Sequence, residues 1–579
     1  MPDTKSQTSD CQSNSGRDNK LMSALEWALL AVAFGSSLLI LGAIVWRVAF
    51  DGLTWSGSIG GLGDDTMQYL SWARDSSQHV LVGNDYTLAD APRHYLHPGL
   101  VGSGVLHRLG LSIPLSYAVW VPIAAGAVCW GTFGYVRENI SKPAQRVVAL
   151  ALALFYAVPT SLILALLPAD HGLIFDLFIA REPQTIAPLW GYPYSALAVG
   201  LTALSLVTYI RARKLGKTFS PALVAQVIFT GWLQPWQGAT VIATLVGSEL
   251  LLRNRRFSQL APAASKTWFL AASATLAGAI PLVYYALLGR LDSTFIESER
   301  NLMMLTGAER WWLILLAVLP LLVPALLVAR MKVPSVAGLT ARIWPAMAIC
   351  QALMLGGFNI ASSPSHALRG VAIPLAVLAV TGTSNLLRGY HHLTRVAAAG
   401  LAISMFAVVG TVSAERKELT TVFGSGVPSV LANYFIDQDE LDAYQWIADS
   451  PVKGGVLGDR TGLGAMVPWR TGRKVWVGHV SWTPKSLSRY LASDAVLAAA
   501  PCCSKELVLM PAGRFIQATG ARFVMVPCWA KLDMIMKQLD GAVDSIHRFG
   551  CQKVIQIRRG NSAADRAAVD HFYGPSQAN

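Results

Sequence analysis

The chain has 579 residues, 53% of them hydrophobic and 14% charged, with a mean hydropathy of +0.43, far too apolar and charge-poor for an ordinary soluble domain. Its net charge of +13 does not mark a nucleic-acid binder, because the lysines and arginines fall in short clusters between apolar runs instead of over one face. The composition is that of a polytopic α-helical membrane protein.

Residues 1–20 are polar and rich in Ser, Asp, Gln and Asn, with too little apolar content to offset the entropy of ordering, and read as a disordered cytoplasmic tail. Leu21 to Phe50 is too long for a signal-peptide core and lacks a small-residue cleavage pattern, so it reads as a retained first span. Further apolar runs centre near residues 124, 156, 200, 226, 244, 277, 320, 350, 378 and 403. About eleven spans of roughly 20 residues each are therefore expected, forming a membrane domain over 21–412.

The basic clusters Arg137/Lys142/Arg146, Arg211/Arg213/Lys214/Lys217, Arg253/Arg255/Arg256/Lys266, Arg330/Lys332/Arg342 and Arg388/Arg395 occupy every second connection. That marks those connections, and the N-terminus, as cytoplasmic, and an odd number of spans leaves the C-terminus outside. Between Phe219 and Leu252 the segment Trp232-Leu233-Gln234-Pro235-Trp236 interrupts an apolar stretch flanked by basic clusters at both ends. Two short helices joined by a Pro turn keep the charge alternation; a single kinked span breaks it.

The opposite connections carry acid. The large first loop, 51–112, holds Asp51, Asp64, Asp65, Asp75, Asp85 and Asp90, whereas the cytoplasmic loops are nearly free of carboxylates apart from Glu138. Acidic residues contribute little to topology, so a functional external face is one explanation and plain loop solvation the other. No internal repeat and no inverted half-and-half pattern is apparent, which weighs against a transporter.

Within the first loop, Gly60-Gly61-Leu62-Gly63-Asp64-Asp65 leads into a partial helical stripe of Met67, Leu70, Ala73, Val80 and Leu81 beside Tyr69 and Trp72, as expected of a helix lying in the membrane interface. Asp64 and Asp65 fall at its N-terminus, where a cap or a favourable helix dipole accounts for one of them. Two neighbouring carboxylates raise one another's proton affinity, which suits a general base; the same pair offers oxygen ligands to a divalent cation such as Mg or Mn. His94 and His97, in His94-Tyr95-Leu96-His97-Pro98-Gly99, close the loop and have the chemistry to orient a phosphate, to share a proton, or to remain solvated. The next external loop mixes Asp170, His171, Asp176, Arg181 and Glu182, suited to sugar contacts or to local salt bridges. Arg369, entering a late span, either snorkels or forks onto a lipid phosphate.

After the last span, residues 413–579 read as an extracytoplasmic α/β domain: Asp439–Ala448 and Ser486–Ala500 have helical spacing, and Gly455-Val456-Leu457-Gly458 and Arg522–Val526 resemble short buried strands. Cys502, Cys503, Cys528 and Cys551 lie there. A vicinal pair is awkward to bridge, so each of Cys502 and Cys503 is expected to join one of Cys528 and Cys551, the alternative being free buried thiols. No Cys-His spacing suggests zinc, and no Walker-type loop suggests direct ATP use.

This arrangement resembles the GT-C superfamily of bacterial integral-membrane glycosyltransferases, which take sugar from a polyprenyl-phosphate carrier on the outer face. Asp64-Asp65 stands where that family has an acidic motif in the first external loop; Tyr95-Leu96-His97-Pro98 is similar to its loop-closing segment, although Gly99 replaces a common second Pro. Asp170 or Asp176 corresponds to a second-loop acid, and Arg369 with Pro374 to a late-span pattern. Asp439–Ile447, Gly455–Leu457 and Thr471–His479 look like the external domain of bacterial members. The resemblance implies a hexosyl- or pentosyltransferase of the cytoplasmic (inner) membrane. It would move sugar, with inversion, from polyprenyl phosphate to a glycan, lipid or protein acceptor of the cell envelope. Asp64 or Asp65 would be the base, and Arg369, with His97, would neutralise the leaving phosphate. The rival readings are a transporter or flippase of lipid-linked saccharide and a non-catalytic envelope scaffold.

Overall fold

The computed structural model describes residues 6–60, 63–156, 182, 184–186, 189, 191–254, 257–260, 266–306, 311–328, 331–357, 363–386, 408–424, 434–458, 463–497, 510–539, 541–560 and 562–574. Among the described residues, five helices are long and apolar enough to cross a membrane: Lys20–Asp51, Ile113–Asn139, Pro193–Lys214, Trp268–Leu291 and Val336–Leu355. Shorter apolar helices occupy Pro143–Phe155, Pro221–Leu233, Val318–Leu327 and Ala372–Ser384. This is a multi-pass membrane protein. The apolar run near residue 403 falls largely outside the described residues. The first helix reaches back to Ser6, into the segment expected to be a tail; extending an existing helix avoids the cost of a new nucleus.

The chain divides into two compact units. The first comprises the described residues of Met1–Leu39, Trp120–Tyr284 and Ala308–Lys417. Its helices repeatedly open on proline, with Pro143, Pro193, Pro221 and Pro235 at their first positions, where the missing N–H has no intrahelical partner to lose. The interrupted stretch at 219–252 is a helix pair, Pro221–Leu233 and Pro235–Leu252, hinged at extended Gln234. Glu249, near the end of the second helix, returns to meet Tyr209 and Arg213 near the end of the Pro193–Lys214 helix. Both ends of the pair are therefore at the same end of the bundle, as the charge pattern requires. Tight helix approaches depend on glycine: a Cβ on Gly200 would lie 2.5 Å from the Ala127 carbonyl carbon, and one on Gly131 2.6 Å from the Gly200 oxygen. Small residues at such crossings let backbones meet where lipid offers no hydrophobic drive.

The second unit comprises the described residues of Ile40–Val119, Tyr285–Gly307 and Glu418–Asn579. Its sheet has Gly455–Leu457 parallel to Ala521–Val526, which pairs antiparallel with Gln552–Ile557, itself antiparallel to Val543–Phe549. Leu457, Val524, Val526, Ile555 and Ile557 meet Trp476, Phe515 and Tyr573 in the core beside it. The first loop joins this unit directly: Thr54 and Trp55 pair antiparallel with Ile436 and Phe435.

Two expectations change here. The stripe on the Gly63–Ser76 helix packs on protein, with Met67, Leu70 and Ala73 at most 3% exposed, so the helix does not lie with that face in lipid. Leu70 covers Gly57, whose φ of +99° and whose missing Cβ, otherwise 2.4 Å from the Leu70 methyl, both require glycine. The cysteine pairing also differs: Cys528 bonds Cys551, not Cys502 or Cys503, which lie outside the described residues. Cys528 follows the Ala521–Val526 strand and Cys551 precedes its partner. The register that sets Val526 opposite Lys553 brings their Cα atoms to 4.9 Å, within bridging range.

Candidate functional site

Asp64 and Asp65 occupy the first turn of the Gly63–Ser76 helix, where the helix dipole favours negative charge. The structure describes the side chain of Asp65, one-third exposed at 33%. Its Oδ1 lies 3.1 Å from Nε2 of His479, a residue buried to 1%. On the opposite edge of that imidazole, Nδ1 accepts the backbone N–H groups of Ser481, at 3.2 Å, and Trp482, at 3.3 Å. An Nδ1 facing two N–H donors is an acceptor, so the ring proton resides on Nε2 and is donated to Asp65.

The turn that presents His479 is fastened from three sides. Thr483 Oγ1 accepts from the N–H groups of Gly478 and His479 at 3.2 and 3.1 Å. Asn84, in the first loop, donates to the Trp482 carbonyl at 2.8 Å. Asn301 donates to the carbonyls of Ser481 and Thr483 at 3.0 and 2.8 Å. All three side chains are buried, where a hydrogen bond is costly to leave unmade.

Other carboxylates of the first loop hold structure. Asp75 accepts from Gly83 N–H and pairs with Arg93 and His79. Asp85, whose backbone oxygen accepts from Val475 N–H at 2.9 Å, takes the Ser71 hydroxyl on Oδ2 at 2.7 Å. Burial pushes its carboxyl up to about 6, and neighbouring Asp75 adds to this while Ser71, Lys474 and Arg93 oppose it.

His94 and His97 have separate partners. His94 Nδ1 lies 2.9 Å from Asp292, which also caps the following helix by accepting from Phe295 N–H. His97 is buried to 3% and caps the Pro98–Arg108 helix through Leu100 N–H. Trp72, Tyr95, Phe295 and Trp482 close a small cleft beside His94 and Asp292.

In the membrane unit, Arg369 is 5% exposed. Its Nε and Nη2 fork onto Glu182, Nη1 donates to Ser195 Oγ at 2.7 Å, and the guanidinium lies over the Tyr192 ring at 5.4 Å. His366 stands 3.5 Å from the same carboxylate. Burial acts to raise the Glu182 carboxyl, but the Arg369 and His366 charges outweigh it, and the group stays below the ordinary range. Asp170, His171, Asp176 and Arg181 lie outside the described residues. Among the described residues no three His, Cys, Asp or Glu side chains gather into a metal-holding group.

No family model matches the chain, and no curated protein does. Solved structures do. The chain is similar to an apo oligosaccharyltransferase from Archaeoglobus fulgidus, at 11% identity over 90% of this chain and 73% of that one, with a TM-score of 0.46. It is similar to ArnT from Cupriavidus metallidurans, solved bound to undecaprenyl phosphate, at 13% identity over 93% of this chain and 99% of that one, TM-score 0.43. A third is the arabinofuranosyltransferase AftD from Mycobacteria, at 14% identity and TM-score 0.48, where the match covers 92% of this chain and 40% of that one.

The residues that sequence reasoning left without a role are His479, Asn84, Asn301 and Asp85. His479 ends a segment noted for its resemblance to external domains, but nothing local in Gly478-His479-Val480 signals a partner 414 residues away.

Proposed function

We propose that this protein is a GT-C-type membrane glycosyltransferase that moves a sugar from a polyprenyl-phosphate donor to a cell-envelope acceptor, with Asp65 as the general base. The observation that carries the reading is the His479 Nε2–H donated to Asp65 at 3.1 Å. A partly exposed carboxylate fixed by a buried imidazole is a preorganised proton acceptor, and its position in the acidic first loop matches the motif of the family the sequence resembles. The Cys528–Cys551 disulfide supports an oxidising, extracytoplasmic setting for the second unit, and the basic ends of the membrane helices support a cytoplasmic setting for those ends.

In the proposed step the acceptor hydroxyl gives its proton to Asp65 as its oxygen bonds to the anomeric carbon. The bond from that carbon to the lipid phosphate oxygen breaks, the phosphate leaves with the electron pair, and the configuration inverts. The His479 donor holds the carboxylate and stabilises it as an anion before the proton arrives. For the phosphate, the resemblance implies Arg369, a guanidinium that here forks onto Glu182. Service on the phosphate requires exchange of one anion for the other.

The test is sugar transfer from labelled polyprenyl-phosphate monosaccharides by purified protein in lipid, comparing wild type, Asp64→Asn and Asp65→Asn. Loss confined to Asp65→Asn is expected, by two orders of magnitude or more (about 10²–10⁴ for a general base). Equal activity in all three overturns the assignment of the base, and no transfer from any donor overturns the enzyme reading.

A further inference from the structure

At the basic end of the membrane unit the helices leave a groove of about 470 Å³, within the roughly 300–1,000 Å³ typical of small-molecule sites. Its apolar wall is formed by Phe219, Trp268, Phe269, Ala272 and Leu276, and Lys266 stands at its rim. The Trp268 and Phe269 rings stack at 4.0 Å, and the Arg253 guanidinium lies 5.6 Å from the Trp268 ring. Phe219, Trp268, Phe269 and Leu276 are all exposed. Most of this wall belongs to the Trp268–Leu291 helix, long and apolar enough to cross a membrane, which puts the groove where lipid can cover it.

Charge decides which lipid. Three carboxylates at this end of the bundle are already engaged: Glu26 by Arg137 and Arg146, Glu138 by Arg211 and Lys214, and Glu249 by Arg213. Lys217, which precedes the groove residue Thr218, together with Arg253 and Lys266, pairs with no carboxylate among the described residues. We infer that the groove binds an anionic diacyl phospholipid, one acyl chain lying along Phe219, Phe269 and Leu276 and the phosphate received by Lys217, Arg253 and Lys266. Basic pockets at the ends of membrane helices attract anionic headgroups in this way, while Trp268 occupies the interfacial level that its amphipathic ring favours. The inference does not depend on the proposed transferase activity, and its readout is binding.

The experiment is native mass spectrometry of the full chain in nonionic detergent with equal amounts of phosphatidylglycerol and phosphatidylcholine. Wild type is expected to retain phosphatidylglycerol preferentially. Lys217→Gln with Lys266→Gln reduces that preference about fivefold per cation removed, and Ala272→Trp, which fills the groove, releases the lipid. Phosphatidylglycerol with brominated chains is expected to quench a fluorescence component that Trp268→Phe lacks, a readout that needs no charge variant to fold. Equal retention of the two lipids, a preference that survives both variants, or quenching identical in wild type and Trp268→Phe overturns the inference. Displacement of the lipid by inorganic phosphate alone, with the chain contributing nothing, overturns it in favour of a simple phosphate site.

Discussion

His479 donates from Nε2 to Asp65 across 3.1 Å and 414 residues of sequence, because its Nδ1 is already committed to the N–H groups of Ser481 and Trp482. The tautomer is thus set by the backbone of the turn, and the carboxylate it addresses is set by the first turn of the Gly63–Ser76 helix.

Replacing His479 by Gln keeps a side-chain N–H donor near the Nε2 position, and replacing it by Leu removes it. Under the proposed function, His479→Leu is expected to lower kcat about 100-fold, the scale of a misplaced catalytic group, with little change in KM. His479→Gln is expected to recover much of that loss. Steady-state kinetics with a fixed donor, alongside melting curves for all three proteins, checks this; equal loss in both variants assigns His479 a purely structural role.

Glu182 and Arg369 form a buried ion pair. Arg369→Met takes the bidentate partner from the buried Glu182 carboxylate and is expected to destabilise the membrane unit by about 3–5 kcal/mol. Adding Glu182→Gln removes that charge and is expected to restore more than half of the loss. Thermal unfolding of the two variants in detergent measures the coupling, and an uncoupled, additive result removes the pair as a structural clasp.

Asp85 gives the second unit a pH dependence of definite sign. Its folded carboxyl titrates at about 6 against an ordinary value of 3.8, so between those limits the folded state holds a proton that the unfolded chain has released. The corresponding stability is fully present below pH 3.8 and is lost as pH rises through about 6. Two pKa units set an upper bound of ~3 kcal/mol, reduced to about 1–2 kcal/mol because the side chain is partly exposed to solvent. Asp85→Asn, which preserves an acceptor for Ser71, is expected to be more stable than wild type at pH 7.5 and to flatten the profile between pH 4 and 6. Melting temperatures across roughly pH 4–8 test this, after the contributions of other carboxylates are subtracted through the variant itself.

The disulfide predicts a simple chemical pattern. Alkylation of the unfolded, unreduced protein is expected to spare Cys528 and Cys551, and digestion without reductant to release one peptide pair joined through them. Closing a loop of 23 residues contributes about 3 kcal/mol in the chain-entropy picture, so reduction is expected to lower the melting temperature of the second unit. A peptide joining Cys502 or Cys503 to either residue contradicts this pairing.

Much of the architecture was legible because it rests on local rules. Apolar run length marked the membrane helices, and the basic clusters at 211–217 and 253–266 required the chain to return between them, as the helix pair hinged at Gln234 does. Helical spacing behind an acidic start placed the Gln438–Asp449 helix, and short apolar runs placed the buried strands Gly455–Leu457 and Ala521–Val526. The cysteine pairing was not legible, since it follows from strand register, which sequence spacing does not contain.

By itself, then, the sequence determined the membrane class, the positions of most helices and the acidic first turn that carries Asp65, since hydrophobic length, charge clusters and helix-end chemistry act within a few residues. The tertiary structure decided that Met67 and Leu70 face protein and not lipid, that His94 and His97 serve different partners, and that Arg369 is held by Glu182. It also decided that His479 reaches Asp65. Each of these depends on groups brought together from distant segments, where burial makes one pairing far cheaper than leaving a charge or donor unmatched.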